Sequence, residues 1–186
     1  MHYTVKNGIE YNSETADILH YRDTWYGYRR ILAATPDGHY FEAIIGSVLF
    51  GWQVFPLSRL RAVEWALRNK APDRVLERLG VTLMPVPNVA PGKPYEDLLI
   101  CEFLHSKKKL FRNDILYTLE VLCQNPPDGR FFLYDGMRLL RTFLLEDYIP
   151  MTQQEALLWG IKHMAPWDSL EIMGYTRTEA EKPAKK

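Results

Sequence analysis

The sequence predicts an α+β fold of two tandem lobes, each a three-stranded antiparallel sheet with helices on one face. Residues 55–80 and 149–174 align without a gap at an offset of 94, and eight positions are identical: Pro56/Pro150, Ala62/Ala156, Trp65/Trp159, Ala71/Ala165, Pro72/Pro166, Leu76/Leu170, Glu77/Glu171 and Gly80/Gly174. Upstream, Pro36-Asp37-Gly38 before Tyr40-Phe41 recurs as Pro127-Asp128-Gly129 before Phe131-Phe132, at an offset of 91. An apolar content of 47% across 186 residues supplies two small cores, and lobes of that size bury too little surface to stand far apart. A single long repeat means two copies of one unit rather than a solenoid. The boundaries read as a first lobe over 1–80, a proline-rich linker over 81–97, a second lobe over 98–175 and a flexible tail over 176–186.

The elements follow in order. Asn7-Gly8 readily takes positive φ and predicts a tight turn between short strands. Ser13 followed by Glu14 and Asp17 has the chemistry of a helix start, so a short helix is expected over 13–22. Arg29 to Ala34 and His39 to Ile45 read as strands around the Pro36-Asp37-Gly38 turn, and Trp52 to Phe55 as a third strand ended by Pro56. Ser58 is placed to cap a helix over 59–69 whose buried stripe is Leu60, Val63, Ala66 and Leu67, with Trp65 at its margin. Ala71-Pro72 breaks it, and Asp73 to Leu79 forms a shorter helix closed by Gly80.

Five residues between Pro85 and Pro94 are proline or glycine, which makes an extended connector. Glu96 to Phe111 carries apolar residues at helical spacing and is expected to be helical. Strands then follow at Tyr117 to Gln124, Arg130 to Tyr134 and within Leu139 to Ile149. Thr152-Gln153-Gln154-Glu155 is a capping box for the second Trp-bearing helix, Ala165-Pro166 breaks it, and Gly174 ends the pair.

Candidate chemistry is sparse. Asp37 and Asp128 belong to turns, where Asp-Gly is a conformational choice. Cys101 and His105 stand four apart on the expected helix but make half a metal site at most, so no metal or cofactor is predicted. Trp65 and Trp159, equivalent in the repeat, read as packing residues. His20 beside Asp17 or Asp23 lacks a nucleophile. Two cysteines exclude a disulfide scaffold, and the absence of a leader or a long apolar run predicts a cytoplasmic protein.

Charge is more informative. The chain is neutral, with 23 basic and 23 acidic residues, which argues against generic coating of nucleic acid. Yet residues 56–80 carry six basic side chains against three acidic, whereas 150–174 carry one against three. Arg59, Arg61, Arg68, Arg74 and Arg78 on the first helical layer, and Lys107, Lys108, Lys109 and Arg112 further on, could engage an anionic partner. Trp25 and Tyr26 beside Arg22, Arg29 and Arg30 suit stacking on bases, anchoring in a protein interface, or equally burial under the hairpin.

The run Tyr11-Asn12-Ser13-Glu14-Thr15-Ala16, the hairpin Thr35-Pro36-Asp37-Gly38-His39-Tyr40-Phe41, then Pro56-Leu57-Ser58 and Ala62-x-x-Trp65 resemble a family of small proteins carried by plasmids, phages and integrative elements of Gram-positive bacteria. The resemblance covers residues 11–80, and the second copy shares the hairpin, Pro150-Met151-Thr152 and Glu155-Ala156-x-x-Trp159. It departs from the family at Arg61-Ala62, where the family has Glu-Ala, and the Thr-Glu-Thr-Ala start is missing from residues 95–117. The resemblance implies a mobile-element role in transfer or in blocking host defence, of the anti-CRISPR kind. The expected function is non-enzymatic inhibition of a protein effector in a defence or nucleic-acid-processing system. A direct DNA- or RNA-binding module is the first alternative, and a nuclease built on scattered carboxylates with His20 or His39 the second.

Overall fold

A computed structural model describes residues 3–47, 51–84, 102–111, 116–124, 130–139 and 142–181. It is α+β, with antiparallel sheets of two, four and four strands. The chain divides into two compact units, Met1–Val81 and Thr82–Lys186. Among the described residues, no helix is long and apolar enough to cross a membrane.

The first unit opens with a hairpin, β1 (Tyr3–Lys6) and β2 (Ile9–Asn12). Its turn is the expected Asn7-Gly8, with φ of 53° and 76°. A four-stranded sheet follows in the order β3 (Asp17–Asp23), β4 (Arg29–Ala34), β5 (Tyr40–Ser47) and β6 (Gly51–Leu57). The helix expected over 13–22 is therefore wrong. The cap-like residues make a turn instead: the Glu14 N–H donates to the Asn12 side chain at 2.9 Å and the Ala16 N–H to the Asn12 carbonyl at 3.0 Å. Residues that cap helices also close isolated turns, and pairing with β4 then draws the following segment into the sheet. Nor does Pro56 end its strand. It lies within edge strand β6 opposite Phe41, where a missing N–H is tolerated.

Strand alternation gives the sheet two faces. Ile31, Ala33, Phe41, Ala43 and Val54 form one, and Tyr11 of the hairpin joins them in a core with its ring edge-on to Phe41 at 5.1 Å. Leu32 and Glu42, paired across β4 and β5, belong to the other face, which α1 (Arg59–Arg68) covers. Ser58 caps α1 by accepting from the Arg61 N–H. Ala62, Val63, Ala66 and Leu67 are buried, as is Trp65 at 6% exposure, deeper than the marginal place expected, while Leu60 is half-buried. α2 (Asp73–Arg78) follows, and Gly80 at φ 77° turns the chain out of it.

The second unit has strands β7 (Glu102–Phe111), β8 (Leu116–Gln124), β9 (Phe131–Leu139) and β10 (Thr142–Met151), paired in that order. The helix expected over 96–111 is thus a ten-residue edge strand from Glu102, paired to β8 along its whole length. Both sheets gain their fourth strand from a segment read as a helix. Lys107, Lys108 and Lys109 fall on this strand. His105 on a strand no longer shares a helical face with residue 101, which lies outside the described residues. So do Arg112, the 127–129 turn, most of the proline-rich connector and the last five residues.

The expected capping box at Thr152 and Glu155 starts α3 (Gln153–Lys162), and α4 (Trp167–Ile172) follows before Gly174 at φ 91°. Trp159 is buried and tilted over His163 at 4.4 Å. The tail expected to be loose from 176 is tied down as far as a 3₁₀ turn at Glu179–Glu181. Arg177 forks onto Glu171 at 2.6 and 2.9 Å, and the Tyr175 hydroxyl donates to Glu181 at 2.6 Å.

Each unit latches its helix pair in the same way. The first residue of α1, Arg59, donates to the Leu79 carbonyl at 2.8 Å, just before the left-handed Gly80. Gln153, the first residue of α3, donates to the Met173 carbonyl at 3.0 Å, just before Gly174. A Cβ on Gly80 would strike the movable Arg59 guanidinium, whereas one on Gly174 would lie 2.3 Å from the Thr82 backbone carbonyl. Both Gly80→Ala and Gly174→Ala should lose about 1 kcal/mol from the left-handed conformation alone. Urea denaturation should show Gly174→Ala as the costlier, because backbone cannot move aside as a side chain can.

Candidate functional site: an arginine-rimmed pocket beneath helix α1

Two hairpin turns prepare the sheet. Thr24-Trp25-Tyr26-Gly27-Tyr28 joins β3 to β4, and Thr35-Pro36-Asp37-Gly38-His39 joins β4 to β5. Both close with a Thr N–H bonded to the fifth carbonyl at 2.9 Å and a Gly N–H bonded back to the Thr carbonyl, at 3.1 and 2.9 Å. The glycines take φ of 75° and 82°. The Thr24 hydroxyl donates to the Tyr28 carbonyl at 2.7 Å, and the Thr35 hydroxyl accepts from the His39 N–H at 3.0 Å.

The first turn presents its aromatics to solvent: Trp25 is 97% and Tyr26 82% exposed. Tyr26 stacks on Tyr28 at 6.3 Å with 8° between the rings. At the foot of the turn Arg29 pairs with Asp23 at 2.7 Å and lies over the Tyr21 ring at 4.5 Å. That hydrogen bond holds the Asp23 carboxyl below the ordinary aspartate range.

On the helix-covered face lies a pocket of about 340 Å³. The sheet contributes Arg22, Arg30 and Glu42, and α1 contributes Arg61, Glu64, Trp65 and Arg68, with Asn69 at its C-terminal end. Both carboxylates are buried, Glu42 at 8% and Glu64 at 5% exposure. Burying a carboxylate is costly unless cations and donors surround it. Glu64 is held by Arg61 and Arg68, each at 2.5 Å and each half-exposed. Arg30 donates through Nε to Glu42, which raises the Arg30 pKa. Arg22 donates to the Asn69 side-chain oxygen at 3.3 Å, and Asn69 in turn donates to the Trp65 carbonyl at 2.7 Å. Trp65 meets His20 edge-on at 6.1 Å, and its indole N–H has no acceptor among the described residues.

Of the residues singled out from sequence, Arg22, Arg30, Arg61 and Arg68 converge here, while Trp25, Tyr26 and Arg29 share the β3–β4 turn. The others do not join them. Arg59 serves the helix latch, Arg78 pairs with Asp17, and Arg74 is exposed on α2. Lys107, Lys108 and Lys109 belong to the second unit. Sequence reasoning missed Glu42 and Glu64, which lay in a strand and a helix without a visible partner. The signal for the β3–β4 turn was the Thr-x-x-Gly pattern shared by residues 24–27 and 35–38. Among the described residues, no group of three or more His, Cys, Asp or Glu is placed to hold a metal ion. The chain matches no family model, no curated protein and no solved structure.

Replacing Arg61 and Arg68 together by Ala leaves Glu64 buried without a counter-charge. The expected cost is about 2–3 kcal/mol, less than for a fully buried pair because both guanidinia are half-exposed. Adding Glu64→Leu should recover most of it in urea denaturation, since the aligned Leu158 shows that this position accepts an apolar side chain. At the turn, NMR titration of Asp23 should give a midpoint below the ordinary aspartate range that returns to it in Arg29→Ala. The Asp23–Arg29 contribution is present above that range and is lost as pH falls through the lowered midpoint.

Proposed function

We propose that the chain is a non-enzymatic interaction protein built from two copies of one unit, and that it inhibits a protein effector of a defence or nucleic-acid-processing system. The observation that carries the interaction reading is the β3–β4 turn. Exposing an indole and a phenol to water gains nothing for the fold, while hydrogen bonds and a left-handed glycine fix the turn that bears them. Tryptophan, tyrosine and arginine are the side chains that most often anchor protein interfaces, because each covers a large area with little flexibility to lose. Trp25 and Tyr26, with Arg29 at the foot of the turn, supply that set. The defence setting comes from the resemblance of residues 11–80 to mobile-element proteins.

Three coincidences support the two-copy reading. Each sheet carries a register shift in its first strand, between Ile18 and His20 in one and between Phe103 and His105 in the other. A histidine follows each shift, facing Leu32 and Leu122 respectively. The helix-pair latch recurs at the repeat offset of 94, through Arg59 and Gln153.

Affinity capture from a Gram-positive host lysate, with and without nuclease treatment, tests the function. The tagged chain should retrieve one protein effector in both conditions. Trp25→Ala with Tyr26→Ala should abolish capture while changing stability by no more than about 0.5 kcal/mol, as expected for exposed positions. Retrieval of nucleic acid alone, lost on nuclease treatment, would overturn the inhibitor reading in favour of direct nucleic-acid binding.

A further inference from the structure

We infer that the pocket beneath α1 binds a small phosphate monoester, independently of the partner that the exposed turn engages. Its charge is the first argument. Arg22 and Arg30 stand directly opposite each other on β3 and β4. Like charges paired across strands repel and destabilise a sheet. With Arg61 and Arg68, four guanidinia face two carboxylates, a surplus of two positive charges. A dianion neutralises that surplus, and the planar forks of arginine suit phosphate oxygens in particular.

The second argument is the indole of Trp65. It is more than nine-tenths buried, lines the pocket, and carries an N–H without an acceptor among the described residues. A buried donor left unsatisfied is costly, and an acceptor reaching it from the pocket would relieve that cost. A volume of about 340 Å³ lies in the range of small-molecule sites.

The third argument separates a ligand site from mere scaffolding. At the same registers the second unit has Lys107 opposite Glu120 where the first unit has Arg22 opposite Arg30. At the repeat offsets, Leu133 stands for Glu42, Glu155 for Arg61, Leu158 for Glu64 and Lys162 for Arg68. The same order of strands and helices forms there with leucine at both carboxylate positions and a reversed charge at the Arg61 position. The order of strands and helices therefore does not require this constellation, and a bound anion accounts for the positive charge that Glu42 and Glu64 leave uncovered.

Isothermal titration calorimetry of the full chain with inorganic phosphate, a nucleoside 5′-monophosphate and the matching nucleoside tests this. Both phosphates should bind saturably at one site and the nucleoside should not. Tighter binding of the monophosphate than of inorganic phosphate identifies the ester as the ligand, and tighter binding of inorganic phosphate identifies the free ion, overturning the ester. Arg22→Ala leaves the Glu42 and Glu64 pairs intact and should weaken phosphate binding about tenfold, the equivalent of one charge-assisted hydrogen bond. Trp65→Phe should weaken it too, and the indole N–H resonance missing from that variant should be the one that moves when phosphate is added to the unaltered chain. Absence of saturable phosphate binding, equal binding of the nucleoside, or undiminished binding by Arg22→Ala would each overturn the proposal.

Discussion

Two carboxylates lie where the first sheet meets its helix, and the surface of that unit is arranged around them. Glu42 and Glu64 are almost wholly removed from water, in a place where a charge is tolerated only with cations against it. Arg30, Arg61 and Arg68 meet that requirement from the rim, since a guanidinium can keep part of its surface in water while reaching a buried oxygen. Given those two carboxylates, the first unit carries a band of arginines along the open side of α1. Their N–H donors outnumber what the two carboxylates accept.

The remaining packing is what allows this. The opposite face of the sheet is closed by the N-terminal hairpin, whose Tyr11 joins a wholly apolar cluster of Ile31, Ala33, Phe41, Ala43 and Val54. With that core dry and filled, the helix-covered face can hold polar groups without loss of the hydrophobic drive. α1 is steadied at its start by the Ser58 cap and the Arg59 latch, and at its end by Asn69, so Glu64 and Trp65 have little freedom to turn away.

The Trp25–Tyr26 turn shows the opposite economy. Its backbone bonds are local, and the Tyr21, Asp23 and Arg29 contacts below it hold without its aromatics. Apolar area is placed in water on a rigid mount, the arrangement that protein interfaces favour at their centres.

Local chemistry settled much of this chain in advance. Asn7-Gly8, Ser58, the Thr152–Glu155 box, Gly80 and Gly174 each have one conformation that satisfies nearby backbone, so turns, caps and helix ends were legible from residues alone. The helix stripe of Val63, Ala66 and Leu67 was legible for the same reason, because 3.6-residue periodicity is local. Long-range pairing decided the rest. Segments 13–22 and 96–111 carry helix-like signals, yet residues 17–23 and 102–111 are edge strands, because a neighbouring strand offers every second backbone group a partner that no local signal records. The pocket was hidden likewise: Arg22, Arg30, Glu42 and Glu64 are spread over 43 residues, and only the strand register and the seating of α1 bring them together.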